Sequence, residues 1–219
     1  MRMTLFGIMK LFFMNLKKKF SSLIKKYEPS CRIGKDLFDT EMKNLHLYGY
    51  VVKGLVLCMI ELACKIIDSK NAAACISQII EMGKDLLQKP VNLLDGVTET
   101  LANLNNKYKL VLATKGDLLD QERKILKSGL IGYFYHIEIM SDKRPTDYLK
   151  LMKCLDCNPE NLLMLGNSLK SDIIPVLEIG AFAAHIPYHV TWEYEQCSED
   201  ISYPRFIKLN RINEILKYL

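Results

Sequence analysis

Two hydrophobic rhythms meet near Pro90. Up to about residue 88, apolar residues recur every three or four positions, the spacing of helices that each bury one face. Val52 to Ile67 places Leu55, Met59, Leu62 and Ile66 on one stripe. Ala72 to Leu87 does the same with Ile76, Ile79, Ile80 and Leu87. Pro29-Ser30, Tyr48-Gly49-Tyr50 and Ser69 punctuate the segment, so it reads as several helices joined by short turns, with no strand signal.

Beyond Pro90 short apolar runs alternate with amphipathic ones. The pattern predicts a helix from Asp95-Gly96 to about Asn106 and a strand over Lys109–Ala113. A helix over Leu118–Lys127 follows, closed by Ser128-Gly129. Next come strand His136–Met140, helix Thr146–Leu155, strand Asn161–Leu165, helix Asp172–Ile179 and strand Phe182–Ile186. Strands separated by helices of about ten residues mean βαβ units, hence an α/β fold with a parallel sheet. Ligands of such sheets gather at the carboxyl ends of the strands. Thr114, Ser141–Lys143 and Gly166-Asn167 all fall at such ends.

Composition narrows the class. With 219 residues, 49% hydrophobic and 25% charged, the chain suits one core domain with a small insert. No apolar run reaches the ~18 residues of a membrane span. The apolar front, Leu5 to Leu16, is broken by Lys10, and Lys17, Lys18 and Lys19 follow it, the reverse of a signal peptide. A cytoplasmic protein without a membrane segment is expected. The net charge of +5 does not signal nucleic acid. Seven positive residues lie before position 30 against Glu28 alone, and the remainder sums to −1, so the basic part reads as one solvated helix face. Seven scattered cysteines, an odd number, fit a reducing compartment. Cys154 and Cys157 have the one suggestive spacing, but no second ligand pair accompanies them. They read as two thiols at the end of a surface helix.

Five stretches carry a sharper signal. In order they are LLDGVTETL from Leu93, KLVLATKGD from Lys109, IEIMSDK ending on Lys143, LLMLGNSLKSD ending on Asp172, and GAFAAHIPY from Gly180. Their order and spacing resemble the later phosphate-handling motifs of the haloacid dehalogenase (HAD) superfamily, phosphatase type. The resemblance implies a HAD-like, Rossmannoid parallel-sheet core at about residues 90–219. It also implies an α-helical cap domain at about 12–88, inserted after the first strand. It makes the chain a hydrolase acting on a small phosphorylated metabolite with Mg²⁺.

Residue by residue, the resemblance implies that Thr114 hydrogen-bonds a phosphate oxygen, beside the backbone N–H groups of Lys115 and Gly116. A small hydroxyl close to a glycine suits a loop where backbone approaches an anion. Lys143 would balance the charge of nucleophile and phosphate. Asp172 would hold the metal, a hard cation that prefers oxygen. Asn167 stands where many relatives carry an acid, and would ligate without adding charge. Each also has a plain reading: Thr114 as a turn residue, Lys143 as a solvated loop lysine, Asp172 as a helix N-terminal acid. Ser168 and Ser171 read as capping and loop hydroxyls. His185 and His189 read as loop or site-edge histidines. Tyr48-Gly49-Tyr50 reads as a specificity loop or as packing aromatics.

The family's opening motif, D-x-D-x-T, carries the attacking Asp and a second Asp that serves as acid and base. This chain begins MRMTLFGIMK and has no acid before Glu28, so the first core strand is absent or replaced by residues 1–8. The genetic code offers an explanation. These ten residues can be back-translated, one G placed in front, and the result read one base earlier. For one choice of codons it then encodes Asp-Ala-Asp-Asp-Thr-Phe-Trp-His-Asn-Glu, a complete D-x-D-x-T; two of the acids, those overlapping the Met3/Thr4 and Met9/Lys10 codon boundaries, arise whatever the choice. Two accounts follow. In the first, residues 1 to about 16 are an out-of-frame reading that rejoins its frame near Lys17-Lys18-Lys19. In the second, the N-terminus has diverged and the chain is a pseudoenzyme kept to bind phosphate or a partner. Under both, the 219 residues are expected to be inactive.

Overall fold

The computed structural model describes residues 9–30, 32–49, 52–187 and 203–219. The chain separates into two compact units, Leu11–Pro90 and one built on Val91–Leu219.

The first unit is helical: α1 (Met9–Ile24), α2 (Ile33–Tyr48), α3 (Val52–Ile66) and α4 (Ser69–Gln88). Its core takes Phe20 and Ile24 from α1, Leu37 from α2, Met59 from α3 and Ile79 from α4. The stripe expected on α3 is buried at Leu55, Met59 and Leu62. On α4 the buried face is Cys75, Ile79, Gly83 and Leu86, and Ile80 is exposed. Gly83 explains this turn of the helix. A side chain there would press on Val56 Cγ2 at 2.5 Å, so α3 and α4 approach closely at Gly83. Apolar periodicity misses such a contact because glycine carries no apolar side chain to count.

The second unit holds α5 (Val97–Asn105), β1 (Val111–Lys115), α6 (Leu118–Ser128), β2 (His136–Met140), α7 (Pro145–Cys154), β3 (Leu163–Gly166), α8 (Ile174–Glu178), β4 (Phe182–His185) and β5 (Phe206–Lys208). It ends in a 3₁₀ helix, Ile212–Lys217. All strand pairs are parallel: β1 with β2, and β3 with β4 with β5. Among the described residues β1 and β3 are not hydrogen-bonded neighbours. Residues 1–8, where a first core strand is expected, lie outside the described residues.

Alternation along the strands decides the layers. Leu110 and Leu112 of the β1 segment and Leu165 of β3 join Val97, Leu101, Leu104, Ile125, Ile212 and Ile215 in one cluster. Val111, Ala113 and Met164 join Tyr148, Leu151, Met152, Val176 and Leu177 in another. So α5, α6 and the terminal 3₁₀ helix cover one face, and α7 and α8 cover the other. Both clusters draw on both sheets, which makes this an α/β/α sandwich. The short β5 and the 3₁₀ helix carried no pattern that the sequence reading found.

α8 also starts differently from expectation. A π-type turn, Leu169–Ile173, precedes it. Pro175 has no N–H to offer the Ser171 carbonyl four residues back. The Tyr148 hydroxyl of α7 donates to that carbonyl instead, at 2.9 Å.

Candidate active site

The carboxyl ends of β1, β2 and β3 meet at the π-type turn. Thr114, near the end of β1, donates its hydroxyl hydrogen to Gln121 Oε1 at 3.1 Å. Gln121 is buried on α6, whose first turn is capped by Asp117 Oδ1 accepting the Asp120 N–H at 3.1 Å. Gly116 takes φ +139°, a conformation side chains rarely adopt, and so lets the chain leave β1 sharply. Its N–H donates to the Met140 carbonyl at 3.2 Å. In this conformation that N–H therefore extends the sheet, rather than pointing to an anion.

Lys143 follows β2. Its Nζ lies 2.7 Å from Asp172 Oδ1, and the two side chains are only 10% and 2% exposed. The loop that presents it is tied by Asp142, whose Oδ1 accepts the Lys143 N–H at 2.8 Å and whose Oδ2 takes Arg144 Nε at 2.9 Å. Burial acts to raise the Asp142 carboxyl. The Lys143 and Arg144 hydrogen bonds, with the charges of Lys115 and Arg144, outweigh it and hold the carboxyl below its ordinary value.

Asp172 owes its place to glycine and to the turn. Its Oδ2 accepts the Ser168 N–H at 3.2 Å. A side chain on Gly166 would collide with it, since Asp172 Oδ2 would lie 2.6 Å from the added Cβ. Ser171 is a junction. Its N–H donates to Ser168 Oγ at 3.1 Å, its Oγ accepts from Lys115 Nζ at 2.9 Å, and its carbonyl accepts from Tyr148. Ser168 thus caps the turn as expected. Gln121 and Tyr148, and the junction at Ser171, escaped the sequence reading. Each acts through one long-range hydrogen bond that no local spacing encodes.

Asn167 follows β3. Its backbone carbonyl accepts from His185 Nε2 at 3.1 Å. Burial pushes the His185 imidazole below its ordinary pKa, against the opposing pull of that bond. Asn167 Nδ2 is buried and has no hydrogen-bond partner among the described residues. Tyr50, Tyr188 and His189 lie outside the described residues.

This donor set falls short of a magnesium centre. Asp172 already carries the Lys143 ammonium on one oxygen and an N–H on the other. Asn167 brings a neutral amide, where a metal gains from charged oxygen ligands. Among the described residues no three His, Cys, Asp or Glu side chains gather as metal ligands.

A core of parallel strands joined by helices, with helices on both faces, is the fold of a HAD-type hydrolase. The haloacid dehalogenase-like hydrolase family model matches residues 65–180, and the chain belongs to that family. It is similar to a haloacid dehalogenase-like hydrolase from Xanthomonas campestris, at 34% identity and a TM-score of 0.81, over 94% of this chain and 82% of that one. The fold is shared with a 2-haloacid dehalogenase from Pseudomonas syringae, at 15% identity and a TM-score of 0.60, over 98% and 93% of the two chains. A glyceraldehyde 3-phosphate phosphatase from Pyrococcus furiosus is 30% identical over 91 residues. That match spans 39% of this chain and 38% of the phosphatase. Among the described residues no helix is long and apolar enough to cross a membrane.

Proposed function

We propose that this chain is the scaffold of a phosphohydrolase that takes a small phosphorylated metabolite at the carboxyl ends of β1, β2 and β3. The unit Leu11–Pro90 is its cap. The observation that carries this reading is the buried Lys143–Asp172 pair, with Lys143 just past the end of β2, the strand paired with β1 and its Thr114. The phosphatase relative from Pyrococcus furiosus supports a phosphorylated substrate. Phosphoryl transfer asks a protein for positioning and for positive charge around three oxygens. Thr114 supplies a hydroxyl, which must turn its hydrogen from Gln121 Oε1 to the phosphate when the anion binds. Lys143 supplies the charge, and Asp172 holds the ammonium in place. The scattered cysteines support a reducing, cytosolic setting.

These 219 residues contain no acid before Glu28 to attack phosphorus, so the chain as given does not turn over. When bound, Mg²⁺ would neutralise phosphate charge. The donor set present does not fit it, and a metal requirement is expected only where the opening D-x-D-x-T is restored. The test is hydrolysis of an aryl phosphate with Mg²⁺ present, and the expected rate is background, since removing a nucleophile costs many orders of magnitude. Robust turnover that Asp172→Ala abolishes would overturn the inactivity.

A further inference from the structure

The Lys115 side chain reaches the site more directly than its backbone does. β1 ends at Lys115, and its ammonium crosses to Ser171 Oγ at 2.9 Å, 56 positions along the chain. The next residue, Asp172, receives the Lys143 ammonium at 2.7 Å. Two cations from two strand ends thus arrive at neighbouring residues of a single π-type turn. That turn is held on other sides by Ser168 Oγ and by the Tyr148 hydroxyl. Asp142 also lies within reach of the Lys115 charge. The Lys143 ammonium is drawn out of water, with its side chain 10% exposed, at a desolvation cost that an anion brought to the same strand ends would offset.

Resting on the phosphate-site reading above, we propose that the Lys115 ammonium is the second cation of that site and sets its preference for doubly charged phosphate monoesters over singly charged diesters. The physical reason is charge matching. Attraction grows with the product of the charges. A monoester dianion engages Lys115 and Lys143 together, whereas a diester has one negative charge to offer. Lys115 is therefore a specificity residue here, distinct from any function of its N–H.

Calorimetric titration of the full chain at low salt, without metal, tests this. The probes are methyl phosphate, a dianion at about pH 8, and dimethyl phosphate, a monoanion. Wild type should bind methyl phosphate about tenfold or more tightly than dimethyl phosphate. Lys115→Met should weaken methyl phosphate about tenfold and dimethyl phosphate less than about threefold, and Lys115→Arg should restore most of the difference. If wild type binds neither anion, the phosphate-site reading fails and this inference falls with it. If wild type binds methyl phosphate and Lys115→Met binds it equally well, Lys115 is a structural tie and this inference alone is overturned. Should Lys115→Met not fold, the wild-type ratio still decides, because equal affinity for the two anions excludes a second cation.

Discussion

The β-carbon of Asp172 occupies the space that a side chain on Gly166 would need. Strand end and turn are therefore locked together: the glycine lets the carboxylate lie over the end of β3, where it meets both Lys143 Nζ and the Ser168 N–H. Gly166→Ala should displace Asp172 and cost about 1–3 kcal/mol, the range for overpacked interiors. Gly34→Ala, where nothing lies within 4 Å of the added carbon, should be neutral or stabilising by up to about 1 kcal/mol. Urea denaturation of both variants checks the contrast. A Gly166→Ala protein as stable as wild type would show that the turn can yield.

The Lys143–Asp172 pair should behave as a unit. Removing one partner of a buried pair leaves the other charge uncompensated, at about 3–5 kcal/mol. Lys143→Met and Asp172→Asn should each destabilise on that scale, and the double variant should cost about 1 kcal/mol or more less than their sum. Simple additivity in a double-mutant cycle would mean that the 2.7 Å contact carries no coupling.

In the helical unit, burial pushes the Cys58 thiol up to about 11, with the Asn44 hydrogen bond opposing and the nearby Glu41 and Glu61 adding to it. The thiolate is the reactive form. At about pH 8 iodoacetamide should label the exposed Cys64 and Cys154 and spare Cys58 until the chain unfolds. The folded value lies above the unfolded 9.0, so the contribution of Cys58 is whole below pH 9 and is lost as pH rises toward 11. Cys58→Ala should flatten the fall in urea stability across that window. An unchanged slope would assign the fall to other groups.

Restoring the opening motif is the strongest test of the missing strand. Residues 1–10 would be replaced by Asp-Ala-Asp-Asp-Thr-Phe-Trp-His-Asn-Glu, led by a starting Met and a short β-rich run. β1 and β3 stand at sheet edges among the described residues. Each buried N–H or C=O left unpaired there costs about 1–3 kcal/mol. The repaired chain should melt higher and gain Mg²⁺-dependent phosphatase activity that requires Thr114, Lys143 and Asp172. If it is neither more stable nor more active, the frame reading loses its support.

Much of this protein was legible without coordinates. The switch from a three-to-four-residue rhythm to alternating runs near Pro90 separates the helical segment from the α/β segment, because each rhythm matches one way of burying a face. Strand His136–Met140 stands where its run of apolar residues puts it. Helix α6 ends on Gly129, whose φ of +69° meets the demand read from Ser128-Gly129. Thr114, Lys143 and Gly166-Asn167 fall at or just past strand ends because βαβ topology sends each loop to the same edge.

The rest needed the chain to close on itself. Which face of α4 is buried depends on Val56 meeting Gly83, a contact from another helix. That Thr114 is tied to Gln121 and that Tyr148 holds the π-type turn depend on hydrogen bonds between distant segments. So does the seating of Lys115 on Ser171. Local propensity is written in neighbouring residues and so can be read along the chain. A hydrogen bond across tens of positions has no such trace, because its partners are chosen only when helices and strands pack.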